Sequence, residues 1–458
     1  MRLVSVFSIC SDRLFRYFIA VSMLMVSCSP TLEPPNYTSG TTDFTSYVAV
    51  GTSFTAGVTN GALTRKGQQE SFPALIASKF ALAEGGSFRQ PLVNPGTGFA
   101  WDIITKQYSG TQKLVNVLNC IGQSNIGVKT ESVNPLDFDY IGNKGPYNNM
   151  GVPGAKSYNL YSQTFGKGTV TGNPYYHRFA TDTGLIGGLT STVIGDALAN
   201  EPTFFTLWIG NNDMLNYALA GGVDLGNPDL AITPLSTFEA ALDTIVESLT
   251  ANGADGVIAS VPDLTEIPFF SAIPYNGLVL TQQQADSLNL VSPAGISYTA
   301  GKNPFVAYTG NTGGPIRQLR AGELVLLSVN ADDIRCNKLG TSLNPIPSAL
   351  ILDSAEVANI RNAIIGYNAK LRTVASQYNL AFADMNLYFK QLSAGIVYNG
   401  AAYSTEYLSG GAFSVDGIHP NGRGYALIAN EFIRVINARY NSNLPFCDVN
   451  GSDGVGFP

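Results

Sequence analysis

Tyr47-Val-Ala-Val-Gly51-Thr52-Ser53-Phe54-Thr55-Ala56-Gly57 decides how the rest of this 458-residue chain is read. The segment is apolar up to a glycine and does not alternate, so both of its faces should be buried, as in a central strand of a parallel sheet. Ser53 comes at once after it, where a turn or helix should open. Apolar runs bounded by turn residues recur at Phe204–Gly210, Gly256–Pro262 and Leu380–Met385. Helical stretches fit between them. Ser236-Thr-Phe-Glu239 and the Asp353/Glu356 pair have capping-box spacing and predict helices to about Ala251 and Tyr378. Asn421–Tyr440 carries Ala426, Ile428, Phe432, Val435 and Ile436 at mainly helical spacing. Strands alternating with helices predict an α/β fold with a parallel sheet covered on both faces. Two stretches exceed that minimum, about 59–147 and 264–348. Segments so long are expected to elaborate a binding face within a single domain spanning 47–458.

Lys and Arg number 26 against 33 Asp and Glu, a formal charge of −7, with no long basic run. Such a balance excludes nucleic acid as a partner, because that affinity rests on neutralising phosphates. Five cysteines and two histidines are scattered without metal-ligand spacing, so neither a metal nor another cofactor is expected. Arg2, Arg13 and Arg16 precede the apolar run Tyr17–Val26, which is short for a membrane span but suits a signal peptide over 1–27. It ends in Val26-Ser27-Cys28-Ser29. That ending resembles a bacterial lipoprotein signal, which implies that Cys28 is lipidated and becomes the mature N-terminus; an ordinary cleaved signal and secretion are the alternative. Pro30, Pro34, Pro35 and the Thr/Ser/Gly-rich stretch after them read as a tether over 28–46. Export permits a disulfide among Cys120, Cys336 and Cys447, with the pairing open.

Ester hydrolysis at neutral pH needs a nucleophile, a base, a group to orient the base, and donors for the oxyanion. Ser53 would sit at a strand's C-terminal end, where backbone N–H groups point outward. Val415-Asp416-Gly417-Ile418-His419 precedes the last helix, and a tight turn there can set the carboxylate on one imidazole nitrogen while the other faces Ser53. Asn149-Met-Gly151-Val-Pro-Gly154 and Ile209-Gly210-Asn211-Asn212-Asp213 add a backbone N–H at Gly154 and a side-chain amide at Asn212, both neutral donors. Each fragment also has a plain structural explanation, as a strand-end cap, a turn or a helix cap.

Together these blocks resemble the SGNH, or GDSL-type, hydrolases over nearly the whole mature chain. On that resemblance Ser53 is the nucleophile, Asp416 and His419 complete the triad, and Ser53, Gly154 and Asn212 form the oxyanion hole. The resemblance implies a three-layer, flavodoxin-like α/β/α sandwich with five parallel strands, no metal, and hydrolysis of carboxylic esters as an esterase or lipase. The chain is also similar to long exported lipoproteins of Bacteroidetes, anchored in the outer membrane on its periplasmic or surface face. It departs from the usual Gly-Asp-Ser at Thr52. Three substrate readings are open. Ile267–Ile273 could line a lipid acyl channel; Tyr140, Tyr147, Tyr175 and Tyr176 could form platforms for an acylated glycan, as in a carbohydrate O-acetylesterase; or the protein could bind surface glycans without turnover. His177 matches no block.

Overall fold

Every residue of Tyr47–Gly51 (β1) is buried, as its unbroken apolar run requires. The computed structural model describes residues 35–458 apart from 103–104, 134–138, 169–171, 185–187 and 225, and of 143 the backbone only. The leader and Cys28 lie outside the described residues. Met1–Asn36 and Tyr37–Pro458 are separate units, and the second contains the sheet.

β1 is joined in one sheet by Asn149–Gly151 (β2), Phe204–Trp208 (β3), Asp255–Ala259 (β4) and Ala381–Ala383 (β5), in the order β5-β4-β3-β1-β2. All neighbours are parallel, with Ala49 opposite both Asn149 and Thr206, and Ala381 opposite Val257. Among the helices are Ser53–Ala56 (α1), Phe72–Phe80 (α2), Val193–Leu198 (α3), Asn212–Leu219 (α4), Leu235–Thr250 (α5), Ser354–Gln377 (α6), Met385–Ala394 (α7) and Gly422–Tyr440 (α8). α2 packs on α8, with Phe72 stacked on Phe432 at 4.8 Å and Trp208 of β3 meeting Phe72 edge-on. α5 packs on α3 and α6, with Phe238 stacked on Tyr367 at 4.2 Å. Each buried ring of this kind contributes on the order of 1.5–3 kcal/mol, so these contacts hold the layers together. Because β2 and β3 flank β1 on opposite sides, the strand order reverses there. The carboxyl ends of β1, β2 and β3 therefore border the crevice in which such sheets bind ligands.

Four strands coincide with or overlap the runs expected of them. The fifth, β2, is only three residues long and has no β-branched side chain, so nothing in its composition marks a strand. Gly151 permits its close approach to α1, and Gly51 the close packing of β1 against β3. A Cβ on Gly51 would strike the Trp208 carbonyl, and one on Gly151 the backbone of α1. α6 opens with the expected capping box, Asp353 accepting from Ala355 and Glu356 while Glu356 accepts from Asp353 N–H. α5 differs: it starts at Leu235 behind Pro234, whose ring already fixes a suitable φ, so Ser236 lies inside the first turn and makes no cap.

The elaborations have structure of their own. From the first, α2 joins the helical layer, and beyond it Gln112–Leu118 and Ser124–Thr130 pair as an antiparallel hairpin. The second holds short hairpins around a separate small core that includes Leu278, Tyr298, Phe305 and Ile346. A disulfide from Cys120, at the tip of the first hairpin, to Cys336 ties the two together across a Cα separation of 6.4 Å. Cys447 is free and buried, and burial pushes its thiol up to about 11. Among the described residues no helix is long and apolar enough to cross a membrane, and no cluster of His, Cys, Asp or Glu could hold a metal.

Candidate active site

The strand-to-helix turn after β1 is tight. Thr52 leaves the strand extended, α1 lasts one turn, and Gly57 ends it in the left-handed region at φ 85°. Ser53 is therefore the first helical residue, and its N–H belongs to the group that no helical carbonyl can satisfy. Thr52, the departure from the usual acid, has a buried hydroxyl with no hydrogen-bond partner among the described residues.

The loop after β2 comes alongside. Val152 N–H donates to the Gly51 carbonyl at 3.0 Å, and Gly154 takes φ 78°, which favours glycine. Asn173 holds that loop by donating from Nδ2 to the Pro153 carbonyl at 2.8 Å. The third strand end supplies Asn212, whose Nδ2 donates to the Ala155 carbonyl at 3.0 Å and retains a second N–H. Asp213 completes the tie, accepting from Ser157 N–H at 2.9 Å and from Ser157 Oγ at 2.7 Å; burial raises its carboxyl above the ordinary value.

Asp416 and His419 meet as the spacing requires. His419 Nδ1 lies 2.8 Å from Asp416 Oδ2, while Oδ1 accepts the N–H groups of Ile418 and His419, each at 2.8 Å, and the Ser414 hydroxyl at 3.0 Å. Oδ2 also takes the Gly61 N–H at 2.5 Å. Burial alone would raise the Asp416 carboxyl, but the His419 charge and these donors hold it below its ordinary value. An ionised carboxylate only accepts, so in the neutral imidazole Nδ1 carries the proton and Nε2 keeps a lone pair. Phe54, next to Ser53, meets the imidazole edge-on with centroids 5.7 Å apart.

Ser53, Gly154, Asn212, Asp416 and His419 all line one cavity of about 610 Å³. Two other expectations are corrected. Ile267 and Phe270 are core residues, so only Phe269 of the expected acyl channel reaches the cavity. Tyr147 and Tyr176 are buried in the core and Tyr140 is exposed away from the cavity, which leaves Tyr175, and that residue is buried with its hydroxyl accepting from Trp101 N–H. Trp101 also lines the cavity. Sequence reasoning misses it, because the Asn94-Pro-Gly-Thr-Gly98 run before it breaks any periodic signal. His177 is elsewhere, with Nδ1 on the Gly166 carbonyl at 2.7 Å.

Fold and site together define an α/β protein that gathers a hydroxyl, an imidazole, a carboxylate and neutral donors at the carboxyl ends of parallel strands. The GDSL-like lipase/acylhydrolase family matches residues 47–432, so the chain belongs to that family and is an ester hydrolase. No curated protein matches it. Among solved structures it is similar to an extracellular lipase from Streptomyces rimosus, at 13% identity over 86% of this chain and 98% of that one, with a TM-score of 0.34.

Proposed function

We propose that this hydrolase cleaves carboxylic esters through a Ser53 acyl-enzyme. His419 Nε2 takes the Ser53 proton as Oγ attacks the carbonyl, Asp416 stabilises the imidazolium, and the N–H groups of Ser53 and Gly154 with the Asn212 amide receive the oxyanion. His419 then returns the proton to the departing alcohol, and water repeats the cycle on the acyl-enzyme. The observation that carries this reading is the convergence of all five residues, distant in sequence, on one cavity. Asn212→Ala is expected to lower kcat on the order of 10²–10³-fold with little change in KM; an unchanged kcat would remove Asn212 from the oxyanion hole.

The polar part of a cavity lined also by Val58, Phe165, Leu215, Leu219 and Phe269 supports a polar alcohol as the leaving group. Asn159, Ser162, Thr164, Asn173, Asn216 and Asp229 line it, and Trp101 offers an aromatic face. A polar alcohol can exchange hydrogen bonds with these groups, whereas a long acyl chain can only take water from them. A short-acyl ester of a carbohydrate fits that lining. On a panel of esters from acetyl to long-chain, kcat/KM is expected to fall steeply beyond the shortest acyl groups. A rise with chain length would favour the lipase reading instead. The arginines, apolar run and Cys28 of the leader support export and a lipid anchor in the outer membrane.

A further inference from the structure

The Asp416-to-His419 turn is gripped from outside its own loop, and the grip comes from residues with no part in the proton transfer. Thr59-Asn60-Gly61-Ala62 is a two-residue hairpin turn, closed by reciprocal bonds between Thr59 and Ala62, with Asn60 at φ 52° and Gly61 at φ 73°. Asn-Gly is the pair that such a turn selects. Its Gly61 N–H reaches Asp416 Oδ2, the oxygen that also takes the His419 proton. Asn60 N–H donates to Ser414 Oγ at 2.8 Å, and Asn60 Oδ1 accepts from Val415 N–H at 3.2 Å. Ser414, itself buried, passes this on by donating to Asp416 Oδ1 at 3.0 Å. The Asn60 carbonyl in turn accepts from Gln112 N–H at 2.8 Å, the first residue of the disulfide-tied hairpin. Oδ2 is thus bonded directly by an element 355 positions away along the chain, and Oδ1 is bonded by Ser414, which that element also holds.

We propose that the Asn60-Gly61 turn and Ser414 form a positioning set that aims the Asp416 carboxylate at His419 and so sets the imidazole for catalysis. This rests on Asp416 and His419 being the catalytic pair. A carboxylate free to rotate could offer either oxygen to Nδ1 or swing off it, and misplacement of a catalytic base by about 1 Å costs on the order of 10²-fold. The Ser414 hydroxyl removes that freedom because its proton is committed to Oδ1 while its lone pair is held by Asn60 N–H. The other titratable groups that feel Asp416, Tyr407 and Tyr425, are turned onto the carbonyls of Val415 and Val58, and burial keeps both phenols neutral. They leave the carboxylate's orientation to the Asn60-Gly61 turn and Ser414, beside the backbone N–H groups of Ile418 and His419.

The test compares Ser414→Ala, Ser414→Thr and Asn60→Gly in the full chain. Asn60→Gly keeps the left-handed turn and removes only the side chain, so it serves if Ser414→Ala fails to fold. Ser414→Ala is expected to lower kcat on the order of 10–100-fold with KM within about twofold, Ser414→Thr to restore most of it, and Asn60→Gly, which keeps both backbone donors and loses only the bond to Val415 N–H, to lower kcat about threefold. Since the chain has two histidines, the low-field Nδ1 proton resonance of His419 is readily assigned by replacing His177. That resonance should move and broaden in both deficient variants and recover with Thr. A kcat within twofold of the parent, or a fall in kcat with the resonance unmoved, overturns the proposal. The resonance needs no substrate, so it decides the positioning claim separately from any failure of the ester panel.

Discussion

Ser53→Ala is expected to abolish turnover, lowering kcat on the order of 10⁴–10⁶-fold while the fold stays intact. The size of the effect comes from the chemistry. Without Oγ there is no acyl-enzyme, and His419 has no hydroxyl to deprotonate; what survives is the smaller contribution of the oxyanion donors and of substrate binding. Stability should hardly change, because the Ser53 side chain is joined by no hydrogen bond among the described residues and the backbone of α1 is already helical. The measurement is ester hydrolysis at saturating substrate, beside labelling by a fluorophosphonate that reacts only with an activated serine. Labelling that persisted in the variant would place the nucleophile elsewhere.

Asp416→Asn should come next, at about 10⁴-fold in kcat with KM little altered. The surroundings of the carboxylate explain why an amide fails there. Every neighbour of Asp416 is a donor: Gly61 N–H and His419 Nδ1 on one oxygen, Ser414, Ile418 and His419 N–H on the other. An Asn must point its NH₂ at one of these sets. Directed at His419, it donates to Nδ1 and moves the imidazole proton to Nε2, where it blocks the lone pair needed for Ser53. Directed the other way, it opposes two backbone N–H groups and loosens the turn. Asp416 also bears on stability. Its folded pKa lies below the unfolded value, so its contribution is present above the ordinary carboxylate range and is lost as pH falls through the lowered value. The acid limb of unfolding should therefore shift in the variant, separately from the loss of turnover. An Asn variant with near-parent kcat would show that the tautomer is set by something other than Asp416.

Much of the architecture is legible in local residue order. Tyr47–Gly51 and Phe204–Trp208 announce buried strands because a segment buried on both faces has no position left for a polar side chain. The Asp353/Glu356 box and the Asn421 cap announce helices because the free N–H groups of a helix start demand such partners. The Asp416/His419 contact is readable for the same reason: a spacing of three within one turn brings the two side chains together. Ser53, Gly154 and Asn212 are readable only as separate fragments.

Tertiary structure decided the rest, since it turns on contacts between segments hundreds of residues apart. β2 is a strand because it pairs with β1 and, at Gly151, comes close against α1, not because Asn-Met-Gly favours extended backbone. The phenylalanine run and the tyrosines look alike in sequence whether they line a cavity or fill a core, and packing sent most of them to the core. Cys120 found Cys336, and the Asn60-Gly61 turn found Asp416, because folding brought each pair of distant loops together. Sequence alone determined which segments could be strands, helices and reactive turns, because those are near-neighbour properties of the chain. Which face each side chain met, and so what the cavity accepts, was settled by long-range packing.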